Sequence, residues 1–211
     1  MRRLLAVLLA AVVPAGAPAQ DAGDRRWDFV ARLDGKPIGQ HRFTLHVDAE
    51  GGAGAPLRRT LSSDAEFAVK VLGFTVYRYR HHAIEHWAGD CLAAVSAQTD
   101  DNGTRTTVHA EARGDGMVVT ASPAAPDAAS RTTTGCLASF AYWNPAALRS
   151  RPRLLNDQTG ELTAVSVTPI AGGLRIVGAP HPLEVWYSPE GDWTGLDSVV
   201  DGGRRLTYRL R

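Results

Sequence analysis

Apolar and polar residues alternate along most of the chain, and turn residues interrupt the alternation at short intervals. Between Gln40 and Val47, for example, Phe43, Leu45 and Val47 are separated by polar residues. A period of two is typical of β-strands that bury one face. The pattern predicts strands at residues 27–33, 40–47, 57–71, 74–87, 92–99, 104–112, 117–121, 162–170, 174–177, 183–187, 196–200 and 206–210.

Residues between these segments predict tight turns and one helix. Residues 100–103 end in Asn-Gly, which readily takes the positive φ values of a type I′ hairpin turn. Asn144 followed by Pro145 is typical of a helix N-cap and a first helical residue. We therefore expect a short helix that begins at Pro145 and ends near Arg149, before Pro152.

The predicted elements define the fold class. Many short strands and a single helix predict a mainly β protein: a single strongly curved antiparallel sheet, or an open β-barrel, of about ten strands with one short helix. A membrane-spanning β-barrel is the alternative. The short, charged strands and the final Arg209-Leu210-Arg211 argue against it.

Residues 1–19 have the layout of a secretory signal peptide. Arg2 and Arg3 precede the apolar run 4–13, and the small residues Ala17 and Ala19 follow it. The run is shorter than the roughly 20 residues of a membrane-spanning helix, which disfavours a permanent anchor. We expect cleavage near Ala19 and a periplasmic location. Residues 20–211 would form a single β domain that is not an integral membrane protein.

Charge narrows the range of partners. The whole chain has a net charge of +1, and loss of Arg2 and Arg3 would make it −1. Nucleic-acid binding requires concentrated basic residues, so we expect no such partner. No strand is followed by a Gly-rich loop and a helix that could bind phosphates, and we predict no cofactor.

The chain has two cysteines, Cys91 and Cys136. In an oxidising compartment an even pair most simply forms a disulfide. A reactive pair of free thiols is the alternative, but the Cys-x-x-Cys spacing of redox proteins is absent.

Chemically versatile residues are concentrated between Tyr77 and Trp87. If this segment is a strand, alternation places one set of side chains on the same face. That set contains Tyr79, His81, Glu85 and Trp87, and the opposite face carries Arg78, Arg80, His82 and His86. His81 and Glu85 would lie roughly 13 Å apart, too far for direct contact. They are candidate catalytic residues if His81 acts as a base or an acid that is oriented by Glu85 or by a carboxylate from a neighbouring strand. The same spacing separates His82 from His86, and we predict no metal site.

Other polar residues give weaker signals. Ser139 lies outside a Gly-x-Ser-x-Gly nucleophile motif. The histidines at positions 41, 46, 109 and 181 are scattered singly, and we assign them no role.

Several motifs resemble those of a bacterial exported family, domain of unknown function 6134. They are Tyr79-x-His81-x3-Glu85-x-Trp87, Gly89-x-Cys91-Leu92, Thr99-Asp100-Asp101-Asn102-Gly103, Cys136-x3-Phe140-Ala141-Tyr142-Trp143-Asn144-Pro145, Leu155-Asn156-x-Gln158-Thr159-Gly160-Glu161 and Gly202-Gly203-Arg204-x-Leu206-x-Tyr208-x-Leu210. The resemblance covers nearly all of the chain after residue 19 and implies location and fold, but no reaction. The turn Asp34–Gly39 is also similar to the start of another exported family, in the style of periplasmic lipoprotein carriers with a curved sheet. That similarity implies a concave apolar face partly covered by a helix.

The disulfide would bring the two most aromatic segments together, and aromatic side chains line many pockets. The predicted ligand-binding residues are Tyr79, His81, Glu85, Trp87, Tyr142, Trp143 and Asn144. The alternative is that these aromatic residues form the core.

Three functions follow. The first is a binding or carrier module for an apolar or lipid-like ligand, with a pocket lined by Tyr79, Trp87, Tyr142 and Trp143. The second is a structural or assembly protein of the envelope, with an exposed apolar patch or an unpaired edge strand for a partner protein and no sizeable pocket. The third is an enzyme that uses His81, hydrogen-bonded to a carboxylate beside an open pocket.

Overall fold

The computed structural model describes residues 23–48, 54–123, 130–178 and 181–211. The predicted signal peptide, residues 1–19, lies outside them. The described residues contain sixteen strands and one α-helix. The strands are β1 Arg25–Leu33, β2 Lys36–Val47, β3 Arg58–Val71, β4 Phe74–Ala88, β5 Cys91–Asp101, β6 Thr104–Arg113, β7 Gly116–Ser122, β8 Arg131–Thr134, β9 Ala138–Ser139, β10 Arg153–Leu155, β11 Leu162–Ala164, β12 Ser166–Ile170, β13 Gly173–Val177, β14 Leu183–Tyr187, β15 Trp193–Val200 and β16 Arg204–Leu210, and the helix is α1 Pro145–Ser150.

Thirteen strands form one antiparallel sheet in the order β12-β13-β14-β15-β16-β1-β2-β3-β4-β5-β6-β7-β8. Strands β11, β10 and β9 form a second, small sheet. Within the described ranges the edge strands β12 and β8 do not pair with each other, so the large sheet is open.

The mainly β fold with one short helix is confirmed, but the prediction of a single sheet of about ten strands is wrong. The predicted strand 162–170 divides at Val165, whose N–H donates to the carbonyl of Pro152. Its two halves join different sheets. The very short strands β8, β9 and β10 contain too few residues for alternation to reveal them.

The contacts of two adjacent residues, Tyr142 and Trp143, show that the large sheet is strongly curved. The Tyr142 ring packs on Trp193 of β15, with centroids 5.4 Å apart, and its carbonyl accepts a hydrogen bond from Tyr187 of β14. The neighbouring Trp143 packs on Trp87 of β4, at 5.4 Å. In a flat sheet β14 and β4 would be separated by about 29 Å. The sheet therefore bends around the chain that carries these residues.

That chain, residues 135–164, is called the crossing segment below, and it is fixed to the sheet near the start of β5. Cys91 and Cys136 form the predicted disulfide. Next to it, the N–H of Leu92 donates to the carbonyl of Leu137 at 2.8 Å. The side-chain amide of Asn144 donates to Asp90 at 2.9 Å. The crossing segment is thereby held against the concave face by a covalent bond and two hydrogen bonds.

The predicted helix is confirmed, with one residue more at its C-terminus. The Asn144 side-chain oxygen accepts a hydrogen bond from the N–H of Ala147, and Pro145 is the first helical residue. This cap satisfies one of the otherwise unpaired N–H groups of the first turn.

The core lies between the concave face and the crossing segment. Every second residue of a strand points inward, which gives β4 an alternating burial pattern from Tyr79 onward. Trp87, Trp193 and Phe29 are among the largest fully buried side chains. In the described ranges no helix is long and apolar enough to cross a membrane.

Candidate ligand-binding site

A cavity of about 250 Å³ lies between the concave face and the crossing segment. Its apolar wall consists of Phe43, Leu61, Phe140, Tyr142, Trp143, Leu183, Trp193, Val200 and Leu206. Its polar wall consists of His41, Ser63, His81, Glu85, Asn156, Asp157, Gln158, His181 and Ser198. The cavity therefore has an aromatic part and a part rich in hydrogen-bonding groups.

His81 of β4 stands in the polar wall and is only 5% exposed. Its Nδ1 lies 3.0 Å from the hydroxyl of Thr99 on β5. Its Nε2 lies 3.3 Å from Oδ2 of Asp157. The second contact is within ion-pair distance, but the N–H is not aligned for a hydrogen bond.

Asp157 is presented by a compact turn of the crossing segment. The side chain of Asn156 accepts from the N–H of Gln158, and the carbonyl of Asn156 accepts from the N–H of Gly160. Gly160 has a φ of +76° and approaches Ala121 of β7 so closely that a Cβ would lie 3.0 Å from the alanine Cβ. Glycine thus permits the turn to rest on the sheet, which directs Asp157 toward His81.

Glu85, also on the inner face of β4, is a buried carboxyl group. It accepts a hydrogen bond from the indole N–H of Trp87 at 2.9 Å. Burial raises the pKa of Glu85 to about 7, and repulsion from Asp157 adds to the shift. The Ser139 hydroxyl is close enough to oppose that rise in pKa, although its geometry falls short of a hydrogen bond. Near neutral pH this carboxyl group can therefore gain or lose a proton readily.

His41 of β2 forms the other polar corner. Its Nε2 lies 2.8 Å from the hydroxyl of Ser63, and its Nδ1 lies 3.4 Å from that of Tyr208. Its ring stacks on Phe43, with centroids 4.0 Å apart. Burial, with a smaller contribution from His81, holds the pKa of His41 well below its usual value of 6.5. His41 is therefore a neutral imidazole near pH 7.

The aromatic wall is fixed from behind. Trp143 packs edge to face on Trp87, and the guanidinium of Arg59 lies 5.6 Å from its ring centre. The indole N–H of Trp143 is buried and has no hydrogen-bond partner among the described residues. Burial raises the pKa of Tyr142 above its ordinary value, so its hydroxyl stays protonated near neutral pH. The wall thus combines apolar area with hydrogen-bond donors.

Arginine and lysine are absent from the lining, whereas two carboxyl groups and three histidines are present. Within the described part of the chain, no group of three or more His, Cys, Asp or Glu residues is arranged to hold a metal ion.

Residues 29–211 match the family described as Domain of unknown function (DUF6134). The chain belongs to this family. No curated protein matches it. A solved structure similar to it is a β-barrel-like protein of domain of unknown function DUF1849 from Brucella abortus. The two share 9% identity with a TM-score of 0.49, over 89% of this chain and 94% of that chain.

Four of the seven predicted ligand-binding residues line the cavity: His81, Glu85, Tyr142 and Trp143. Tyr79, Trp87 and Asn144 are not among its lining residues. Tyr79 stacks on Phe67, with centroids 5.3 Å apart, on the far side of His81. Trp87 lies behind Trp143, and Asn144 is occupied as the helix cap. A ligand-binding role for the remaining four is still a prediction.

The sequence-based reasoning missed three lining residues with titratable side chains. His41 was treated as isolated, yet it has the same parity as Phe43 and Leu45, and this signal could have placed it on the inner face. Asp157 is the residue written as x in the motif Leu155-Asn156-x-Gln158, so the motif did not single it out. His181 lies beside Asp201, at 3.4 Å, and no sequence pattern pointed to it.

Proposed function

We propose that this DUF6134 protein is an exported binding or carrier module of the periplasm that holds a small, partly apolar ligand in the concave cavity. The single observation that supports this most is the cavity itself, with an aromatic wall opposite a cluster of buried polar groups. Such a combination is typical of small-molecule sites.

The cavity volume sets the size of the enclosed ligand. A volume of about 250 Å³ lies just below the range of roughly 300–1,000 Å³ that is typical of small-molecule pockets. A short alkyl chain or a ring system of comparable volume would fill it. A complete phospholipid would not fit, so the cavity would enclose only one part of a lipid-like ligand.

Charge favours one type of head group. Glu85 and Asp157 face the cavity and no arginine or lysine does. A buried anion beside two carboxyl groups would be unfavourable. An amine or another hydrogen-bond donor would be complementary, and aromatic faces such as Trp143 also attract cations. We therefore propose a short apolar amine as the best-matched ligand class.

Acid–base catalysis is the second candidate, because His81 lies 3.3 Å from a carboxylate beside the cavity. The enzyme hypothesis required an aligned hydrogen bond at this place, and the contact lacks that alignment. The Ser63–His41 pair has the separation of a nucleophile and its base. However, His41 is oriented by the hydroxyl of Tyr208 rather than by a carboxylate. Binding therefore fits the geometry better than catalysis.

The decisive measurement compares three ligands of equal chain length: octylamine, octanol and octanoate. Binding would be followed by the fluorescence of the cavity tryptophans and by native mass spectrometry of protein purified from the periplasm. We expect octylamine to bind at least about tenfold more tightly than octanoate. Glu85→Gln combined with Asp157→Asn should abolish this preference.

Glu66→Gln is the matched control, because Glu66 is an exposed carboxylate of β3 paired with Arg80. It should leave the preference unchanged. Equal binding of all three ligands would contradict the amine head group. The absence of any co-purified molecule, together with no binding of any of the three, would contradict the binding function. Conversion of a ligand that depends on His81 would favour the enzyme.

A further inference from the structure

The hairpin of β3 and β4 extends beyond both neighbouring strands. Strand β2 pairs with β3 only as far as Phe67, and β5 pairs with β4 only as far as Tyr79. Residues 69–77, called the hairpin tip, thus pair only with each other within the described sheet. They project from the edge of the structure.

The tip is apolar although it is exposed. Leu72 is 93% exposed, Phe74 76%, Val76 54% and Val71 53%. Only three other large apolar side chains of the described residues are exposed to a similar degree, and they lie apart on β13, β15 and β16. A contiguous exposed apolar patch marks an interaction surface.

The turn at the apex differs from two other turns of the same chain. Leu72 and Gly73 have φ values of 49° and 87°. Asn102-Gly103 and Asp34-Gly35 have nearly the same values, 51° and 94°, and 50° and 79°. Asn and Asp tolerate this left-handed conformation, whereas leucine does so only at a conformational cost. Because Leu72 contributes nothing to the core, that cost is not offset by folding.

Basic residues flank the apolar apex. Lys70 and Arg78 are the charged residues between Ala68 and Arg78, and no acidic residue lies in that stretch. Neither forms an ion pair with another described residue. Apolar side chains at a convex apex, with cations behind them, match the layered chemistry of a phospholipid surface.

We propose that the hairpin tip inserts into the interface of a phospholipid bilayer. Leu72 and Phe74 would enter the boundary between headgroups and acyl chains, and Lys70 and Arg78 would contact lipid phosphates. This inference is independent of the cavity ligand. Strands β3 and β4 also carry Ser63, His81 and Glu85, so the two strands would connect an inserted tip to the wall of the cavity.

The test is co-sedimentation of the purified protein with vesicles of phosphatidylcholine alone and of phosphatidylcholine mixed with phosphatidylglycerol. We expect binding to both, and tighter binding to the mixed vesicles. Leu72→Asn with Phe74→Ser should weaken partitioning at least about tenfold. Lys70→Gln with Arg78→Gln should remove only the additional binding to the anionic vesicles.

The variants have matched controls. Leu72→Asn reproduces the Asn102-Gly103 turn, so folding should be retained, and circular dichroism would verify it. Val199→Ser removes an exposed apolar side chain of β15, outside the hairpin tip, and should change nothing. A second measurement uses the fluorescence of a Phe74→Trp variant: insertion predicts a blue-shifted emission and quenching by brominated lipids.

Two outcomes would overturn the proposal. One is equal sedimentation of the native protein and the Leu72→Asn, Phe74→Ser variant. The other is no sedimentation of the native protein with either vesicle together with unshifted emission from the Phe74→Trp variant; tip-dependent capture of a protein partner in that case would identify a protein surface instead.

Discussion

The two ends of the β3–β4 hairpin have opposite environments although they belong to the same two strands. At one end, the crossing segment covers Glu85 and Trp87, and both are almost completely buried. At the other end, Leu72 and Phe74 are exposed to solvent. The difference shows that alternation produces a buried face only where another layer covers the strand. Apolar residues at the covered end stabilise the fold, whereas those at the tip do not.

Removal of the disulfide should disturb the covered end most. The bond closes a loop with a sequence separation of 45 residues. Cys91→Ser with Cys136→Ser should therefore lower the free energy of unfolding by about 4 kcal/mol. Urea denaturation would measure the change. A loss below about 1 kcal/mol would mean that the crossing segment is held mainly by its other contacts.

Glu85 makes the stability of the covered end depend on pH. Its pKa rises from 4.5 to about 7 on folding. Between these values the folded protein keeps a proton that the unfolded chain has released, so stability falls as the pH rises through this range. The full effect is about 3 kcal/mol. Glu85→Gln should remove it and increase stability at pH 8.

The difference between the native protein and the Glu85→Gln variant separates the pH dependence caused by Glu85 from that caused by His41. The pKa of His41 is lowered on folding, so His41 causes stability to be lost as the pH falls below 6.5. That loss is common to the native protein and the Glu85→Gln variant, and it cancels in their difference. Parallel profiles for native protein and Glu85→Gln would contradict the raised pKa.

Adjacent histidines allow the inner and outer faces to be compared directly. His81 is buried between Thr99 and Asp157, whereas His82 is exposed and its Nδ1 lies 2.6 Å from Asp64. His81→Gln should cost about 1–3 kcal/mol, because it leaves buried polar partners unsatisfied. His82→Gln should cost about 0–1 kcal/mol. Thermal unfolding of both variants would test this, and equal losses would argue against the assignment of the faces.

The smallest effect is expected at the tip. Leu72→Asn should leave stability unchanged or raise it by up to about 1 kcal/mol, because Asn adopts the left-handed turn at lower cost. Chemical denaturation would detect the change. A clear loss of stability would show that Leu72 packs against the protein, and the contrast between the two ends would then fail.

Much of the local structure could be predicted from the sequence. The strand predicted at 183–187 agrees with β14, and those at 74–87 and 104–112 agree with β4 and β6 within one residue. The Asn144 cap and the disulfide were also predictable. These features depend on residues close in sequence or, for the cysteines, on a pair with no alternative partner in the chain.

The site was only half predictable, because it depends on how the sheet bends. The alternation of side chains along a strand was enough to place His81 and Glu85 on one face. It could not show that Asp157 would approach them, since a turn in the crossing segment makes that contact. Nor could it show that Tyr142 and Trp143 reach strands on opposite sides of the curved sheet.

The sequence by itself determined the longer strands, the Asn-Gly turn, the helix start and the cysteine pair, because local backbone preferences and a period of two govern the first three and the chain has only two cysteines. Only the tertiary structure decided which inward faces meet and which remain open. Contacts across a curved sheet join residues far apart in the chain, and no local pattern records them. The covered end and the exposed tip of one hairpin differ for this reason.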